Sequence, residues 1–247
     1  MALKMIATVR RQLRNAICRM KSPERIFTEI YRGNRWGGRR GEICSGGGSS
    51  DERVVGEYLR VLSENAGSHG FATMQFVDLG CGDMNVGRRL IPLCRSYVGA
   101  DVVKYVVENN RATIDQPNAE FVHCDIVSDQ LPDGDVCFLR QVLQHLSNDQ
   151  IRRILPKLAK YRFVYITEHV PRDWGDTPPN LDKPAGAGIR LDQDSGIDIT
   201  REPFGISNDE VEEVLEVVAN PNPSGLDPGV IRTVLYRPKP NQETAHG

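Results

Sequence analysis

Short apolar segments alternate with amphipathic ones through the middle of this 247-residue chain, and this alternation constrains the fold more than any other feature. The apolar segments are rich in β-branched residues, which is typical of strands, and the segments between them have helical spacing. Strands separated by helices form a parallel sheet covered by helices on both faces. Strands are predicted at 74–79, 96–103, 119–125, 135–139 and 162–167, and helices at 51–66, 84–94, 104–113 and 147–160.

Two further β-rich segments, 211–219 and 230–236, follow near the C-terminus. The turn-forming residues of 220–229 separate them, so we expect an antiparallel hairpin that closes the sheet. The first segment also fits a helix, because Ser207 and Glu210 match a helix start. The predicted fold class is α/β: a Rossmann-like seven-stranded, mostly parallel sheet with an antiparallel C-terminal hairpin, helices on both faces and an N-terminal helical extension.

The chain is predicted to have three parts. Residues 1–66 form a basic helix, a glycine-rich flap and a second helix, residues 67–240 form the sheet domain, and residues 241–247 form a frayed tail. The basic helix is expected over 3–21, where apolar residues recur every three or four positions.

Two segments outside the alternation are expected to cover a site. Residues 33–50 hold seven glycines and Trp36. Glycines act as hinges and tryptophan supplies contact area, so a flap is favoured over a linker. Residues 171–204 form a proline-rich loop, and a loop this long inside a compact domain is usually functional or disordered.

The charges are distributed unevenly along the chain. The net charge is −2, but residues 1–40 carry eleven Lys and Arg against two acids. This arm could contact a phosphate-bearing acceptor, an anionic membrane surface or nucleic acid, serve as a targeting presequence, or be a solvated helix face. No apolar run approaches the ~18 residues that span a bilayer. Six cysteines without Cys-x-x-Cys spacing favour free thiols and a cytoplasmic location.

The end of the first predicted strand carries the clearest chemical signal. The strand passes through Asp78 and turns at Gly80 and Gly82, which flank Cys81. Glycines let backbone amides approach a ligand where a Cβ would clash, and the acid suits a ligand with a positive charge. The dinucleotide fingerprint requires a further glycine where this chain has Asn85, so an NAD(P)-dependent oxidoreductase is disfavoured.

This turn resembles motif I of the class I S-adenosylmethionine (SAM)-dependent methyltransferases, and the likeness extends over about residues 72–170. The resemblance implies SAM as cofactor, with Asp101 at the ribose hydroxyls and Asp125 and Ile126 at the adenine. The segment after the fourth strand would pass the methionine part. The implied cofactor-binding residues are Asp78, Gly80, Cys81, Gly82, Asp101, Val102, Asp125, Ile126, Arg140 and Gln141.

A second likeness concerns the acceptor. Several segments are similar to methyltransferases that accompany bacterial glycan or polysaccharide synthesis, which implies O-methylation of a sugar hydroxyl. The alternatives are an RNA methyltransferase that uses the basic N-terminus and a SAM-binding scaffold without activity. The segments that carry the likeness are Phe27–Tyr31, Trp36–Gly37, Gly46–Ser49, Asn180–Asp182, Gly188–Arg190 and Pro203–Phe204.

A sugar hydroxyl is weakly acidic, so a base that accepts its proton would accelerate transfer ~10²–10⁴-fold. His145 and His169 follow strands four and five, whose carboxyl ends form the ligand-binding edge of such a sheet, and each could instead be structural. The expected partner is a small-molecule or glycan acceptor, nucleic acid is a weaker alternative, and a homo-oligomer is compatible with the sequence. No metal site is predicted. The candidate acceptor contacts are Trp36, Asn180, Asp182 and Arg190.

Overall fold

The computed structural model describes residues 21–39, 41–219 and 228–239. Most of the predicted helix over 3–21 and of the turn segment 220–229 lies outside the described residues, as does the whole predicted tail. The three-part division of the chain stays a prediction.

Seven strands form one sheet in the order β3-β2-β1-β4-β5-β7-β6. The first five pair in parallel, whereas β7 runs antiparallel to both β5 and β6. The predicted Rossmann-like sheet with its C-terminal hairpin is therefore confirmed. The order reverses between β1 and β4, which is where ligands bind in open α/β sheets. The strands are β1 (Gln75–Leu79), β2 (Ser96–Asp101), β3 (Ala119–His123), β4 (Val136–Arg140), β5 (Phe163–Val170), β6 (Val211–Val218) and β7 (Val230–Tyr236).

Two predicted helices are shorter in the structure than in the sequence analysis. The α-helical parts of 84–94 and 147–160 each give way to 3₁₀ turns, Ile91–Leu93 and Leu155–Lys160, which carry a proline in their first turn. Proline cannot donate the next helical hydrogen bond, so the α-helix ends there. The α-helices are α1 (Pro23–Arg32), α2 (Gly47–Ser50), α3 (Glu52–His69), α4 (Gly87–Leu90), α5 (Lys104–Thr113) and α6 (Asn148–Ile154).

Two hydrophobic clusters lie on opposite faces of the sheet, because successive strand residues point to opposite sides. Helix α1 packs into the first cluster through side chains such as Ile30, together with α6. Helix α3 packs into the second through Tyr58 and Leu62. Both N-terminal helices are thereby fixed against the strands whose ends carry the motif.

The described residues contain no helix that is both long and apolar enough to cross a bilayer. Within the same residues, no three His, Cys, Asp or Glu side chains are grouped as metal ligands. The five described cysteines are free thiols.

Candidate cofactor and acceptor site

A cavity of about 1030 Å³, counted with the open space at its mouth, lies at the carboxyl ends of β1 to β4. Nine of the ten residues predicted to bind SAM line it, and Gly82 lies beside them in the same turn. Those nine are Asp78, Gly80, Cys81, Asp101, Val102, Asp125, Ile126, Arg140 and Gln141.

The turn after β1 is built on glycine for two different reasons. Gly80 and Gly82 both have positive φ, +79° and +54°, where a side chain is strained. A Cβ on Gly80 would lie 2.6 Å from Val142 Cγ2, and one on Gly82 would collide with Ser45 Oγ. The close approach that the sequence analysis assigned to the cofactor is therefore also required by neighbouring protein groups.

Asp78 is buried behind this turn. Its Oδ2 accepts a 2.6 Å hydrogen bond from the Tyr97 hydroxyl. Burial raises the pKa of the carboxyl to about 6, opposed by the Tyr97 bond and by the positive charge of Arg140. The site therefore holds an acid whose charged form gains from a nearby cation.

Arg140 stands at the end of β4, next to Gln141. Its Nη2 donates to the carbonyl oxygen of Gly48 at 2.6 Å, and its guanidinium lies 5.4 Å from the centre of the Tyr58 ring. Among the described residues, neither Arg140 Nε nor Gln141 Nε2 has a hydrogen-bond partner, although both are buried. A buried unsatisfied donor costs about 1–3 kcal/mol, so a carboxylate ligand would relieve an existing cost.

Two further acids, Asp101 and Asp125, line the cavity where the ribose and the adenine are predicted to lie. Asp101 accepts the amides of Gly82 at 3.1 Å and Val103 at 2.8 Å, and burial raises its pKa to about 6. Asp125 is half-buried and accepts the amide of Val127 at 2.9 Å. A carboxylate has about four acceptor positions, so each acid retains capacity for a ligand donor.

The flap is tied directly to the turn after β1. Ser45 N donates to Asp83 Oδ2 at 2.8 Å, and Asp83 N donates to Ser45 Oγ at 2.9 Å. The Tyr31 hydroxyl lies 3.1 Å from the same Ser45 oxygen. No sequence pattern pointed to these three residues or to Tyr58 as site residues. Two features of the sequence could have pointed to them: Asp83 directly follows Gly82, and Tyr31 ends the segment Phe27–Tyr31 that resembles glycan-associated methyltransferases.

The flap and the 171–204 loop meet at Trp36. Its indole nitrogen donates to the Ala187 carbonyl at 3.2 Å. Its ring centre lies 5.0 Å from that of Tyr31 and 4.9 Å from that of His145. Trp36 and His145 both line the cavity, so two residues predicted for the acceptor side are brought together there.

The two candidate bases are placed differently. His145 is buried at the cavity wall, and burial together with the charge of Lys183 lowers its pKa to about 4. His169 lies outside the cavity lining, with its Nε2 2.6 Å from the Pro228 carbonyl oxygen, and burial lowers its pKa as well. Only His145 is positioned to meet an acceptor in this cavity.

Three residues predicted to contact the acceptor are placed inside the loop framework instead. Asn180 is buried and donates to backbone carbonyls within the loop. Asp182 accepts the amide of Asn148 at 2.8 Å, and the fully buried Arg190 donates to the Leu146 carbonyl at 2.8 Å. None of these three lines the cavity. In these positions they satisfy backbone groups, because irregular buried backbone needs side-chain partners, and their contact with an acceptor stays a prediction.

Comparison with known proteins agrees with this architecture. Residues 76–161 match a family model described as a methyltransferase domain. The comparison with curated proteins found no match.

Several solved structures share the fold. Magnesium protoporphyrin IX methyltransferase from Synechocystis PCC 6803 with bound SAM is 13% identical, with a TM-score of 0.54 over 89% of this chain and 99% of that one. N-methyltransferase NodS from Bradyrhizobium japonicum WM9 with S-adenosyl-L-homocysteine (SAH) is 14% identical, with a TM-score of 0.51 over 75% and 88%. The N-terminal domain of EvdMO1, in the presence of SAH and D-fucose, is 16% identical, with a TM-score of 0.52 over 86% and 97%. At these identities the likeness shows the fold.

Proposed function

Because this chain carries a SAM-dependent methyltransferase domain, with SAM as its cofactor, we propose that it methylates a hydroxyl group of a small molecule or glycan, with a sugar as the acceptor. One observation carries the proposal. A single cavity joins the turn of Gly80 to a wall formed by Trp36, Tyr31 and His145. The cofactor end and an uncharged, partly aromatic acceptor end are therefore continuous.

The residues at the cofactor end fit SAM in charge and shape. SAM supplies an electrophilic methyl group on a sulfonium and also bears an ammonium and a carboxylate. Asp78 would favour the cationic groups, and the unpartnered Nε of Arg140 would donate to the carboxylate. Asp101 would accept from the ribose hydroxyls, while Val102 and Ile126 would pack against the adenine.

At the acceptor end, orientation is expected to contribute more than proton transfer. A flat indole at Trp36 would give a sugar ring a surface to lie on, and the flap and loop that meet there would limit the access of water. Holding the hydroxyl in line with the methyl group can supply up to ~7–11 kcal/mol in favourable systems. His145 is neutral at pH 7, but a pKa of about 4 is far below the ideal for a general base.

The proposal is tested by a radiolabelled-SAM screen against nucleotide sugars, oligosaccharides, small amines and RNA. Label transferred to a sugar and stable to mild base would support a methyl ether on a hydroxyl. Transfer to amines alone would refute the proposed acceptor. RNA labelling that falls steeply with salt would favour the nucleic-acid alternative. Tight SAM binding measured by calorimetry, with no transfer to any pool, would favour a non-catalytic scaffold.

A further inference from the structure

The short turn that carries His145 is held in place from the neighbouring strand. Glu168, at the end of β5, is 3% exposed. Its Oε1 accepts the amide of Leu143 at 2.8 Å, and its Oε2 accepts the amide of Gln144 at 3.0 Å. A buried carboxyl group that accepts two successive amides fixes the backbone of this 3₁₀ turn, Leu143–His145. The side chain of Gln144 therefore starts from a fixed position.

Two backbone groups determine how the side chains in this turn are protonated. The amide of His169 can only donate, so the atom it meets at 3.2 Å is Oε1 of Gln144. The side-chain nitrogen of Gln144, Nε2, therefore points toward His145 and lies 3.4 Å from Nε2 of that ring. The carbonyl of Gly186 can only accept, so Nδ1 of His145, 3.2 Å away, must carry the proton. Nε2 is left with its lone pair, and Gln144 donates to it.

We infer that Gln144 is a positioning residue of the site, which selects the neutral Nδ1–H form of His145 and fixes the orientation of its ring. The chain of contacts runs from His169 N–H through the Gln144 amide and the His145 ring to the Gly186 carbonyl. Gly186 N–H also donates to the His145 carbonyl at 3.0 Å, so the ring and the backbone of this residue are both tied to the long loop. His145 is thereby held against Trp36 at the cavity wall.

The charged groups around the ring favour its neutral form. Lys183, on the long loop, acts on the imidazole as a like charge and lowers its pKa, in addition to burial. Glu168 on β5 is occupied by the two amides, and burial raises its pKa to about 8 against the opposing charge of Arg190, so this acid is largely neutral at pH 7. Trp36, which packs on the ring from the flap, carries no charge. Backbone hydrogen bonds from the ring to Gly186 and Gly188 raise its pKa, but burial and the charge of Lys183 outweigh them and bring it to about 4, so the neutral ring prevails at pH 7.

The test is nitrogen-15 NMR on the full-length, histidine-labelled protein, which reports the protonation of each ring nitrogen. In the wild type, His145 should show a protonated Nδ1 and an unprotonated Nε2 from pH 6 to 8. In Gln144→Glu, an ionised carboxylate can only accept, so Nε2 becomes protonated as well, whereas a neutral carboxyl would donate its O–H to Nε2; the carbon-13 shift of the introduced carboxyl tells the two states apart. The proton affinity of the ring should then rise about 10- to 1000-fold. Gln130→Glu adds the same charge at an exposed position outside the cavity and should leave the His145 signals unchanged.

An Nε2–H form in the wild type would overturn the inference without any variant, and so would unchanged signals in a folded Gln144→Glu protein whose new carboxyl is ionised. The tautomer is a property of the protein alone, whereas its effect on catalysis rests on the proposed function. With an identified acceptor, Gln144→Glu should lower kcat at least tenfold and leave SAM affinity within about twofold. An unchanged kcat would refute the positioning role. If no acceptor is methylated by the wild type, the NMR result still decides the tautomer, so the two failures are distinguishable.

Discussion

Replacing Asp78 with asparagine separates a cofactor-binding carboxylate from a structural one, because the two roles predict opposite changes in stability. A structural acid stabilises the folded chain through its hydrogen bond to Tyr97. A cofactor-binding acid is ionised although it is buried, which lowers the stability of the folded protein. Binding of the cationic ligand then offsets that loss. Asparagine has nearly the same shape and retains one oxygen that can accept from Tyr97.

The expected size of the effect follows from the pKa. Burial raises the pKa of Asp78 from its usual 3.8 to about 6. A carboxyl whose folded pKa is raised destabilises the folded state as pH rises from 3.8 through 6. Above that range the cost is about 3 kcal/mol. Asp78→Asn should remove most of this cost and raise the free energy of unfolding at pH 7 by about 1–3 kcal/mol. It should also weaken SAM binding by about 1.5–3 kcal/mol, or roughly 10- to 150-fold.

Urea unfolding at pH 7 and pH 4.5, and calorimetric titration with SAM, measure the two quantities. The gain in stability should shrink at pH 4.5, where the wild-type carboxyl is already protonated in the folded state. Glu108→Gln, on the exposed side of α5, is the control for loss of one negative charge and should change neither quantity appreciably. A variant of Asp78 that is less stable at pH 7 and binds SAM with unchanged affinity would refute the reasoning.

Four further predictions address the same site. Asp101→Ala should weaken SAM binding about 10- to 100-fold by calorimetry while circular dichroism stays unchanged; equal affinity would remove Asp101 from the site. SAM affinity of the wild type should fall as pH drops below about 6, because Asp78 must ionise to favour the cationic groups and Asp101 must ionise to accept from both ribose hydroxyls, and a flat profile from pH 5 to 8 would contradict this. Gly82→Ala should cost about 1–3 kcal/mol in urea unfolding because of its positive φ and the flap against it, whereas Gly67→Ala in α3, with open space around its Cβ, should gain about 0.5–1 kcal/mol. His145→Ala should lower kcat at least about tenfold with little change in the Kd for SAM, and equal turnover would exclude His145 from the acceptor site.

The cavity edge at the ends of the strands could be predicted from sequence because its information is local. A strand, a turn with positive φ and an acid at a strand end each leave a signature within a few residues, as at Asp78 and Gly80. Parallel strands then bring separate signatures to one edge, so Asp101 and Asp125 meet the same cavity. The order of the strands is therefore enough to predict which of these residues meet at the cavity.

The acceptor end could not be predicted in the same way, because long loops have no period that orients side chains. Trp36 and Arg190 both lie in irregular segments and both were expected to contact the acceptor. The structure places the ring of Trp36 at the cavity and buries Arg190 against backbone carbonyls. Which of the two side chains reaches the cavity depends on which backbone carbonyls the folded loops leave without a hydrogen-bond donor.

The sequence alone therefore determined the sheet, its closing hairpin and the acid-and-glycine edge, since strand period, helix spacing and turn chemistry are properties of neighbouring residues. Tertiary structure decided which distant groups share a hydrogen bond. It paired Ser45 with Asp83, and it set the Gln144 amide between His169 and His145. Such pairings join residues that are remote along the chain or that face each other only after two strands align. Their energies depend on burial and direction, which no linear pattern contains.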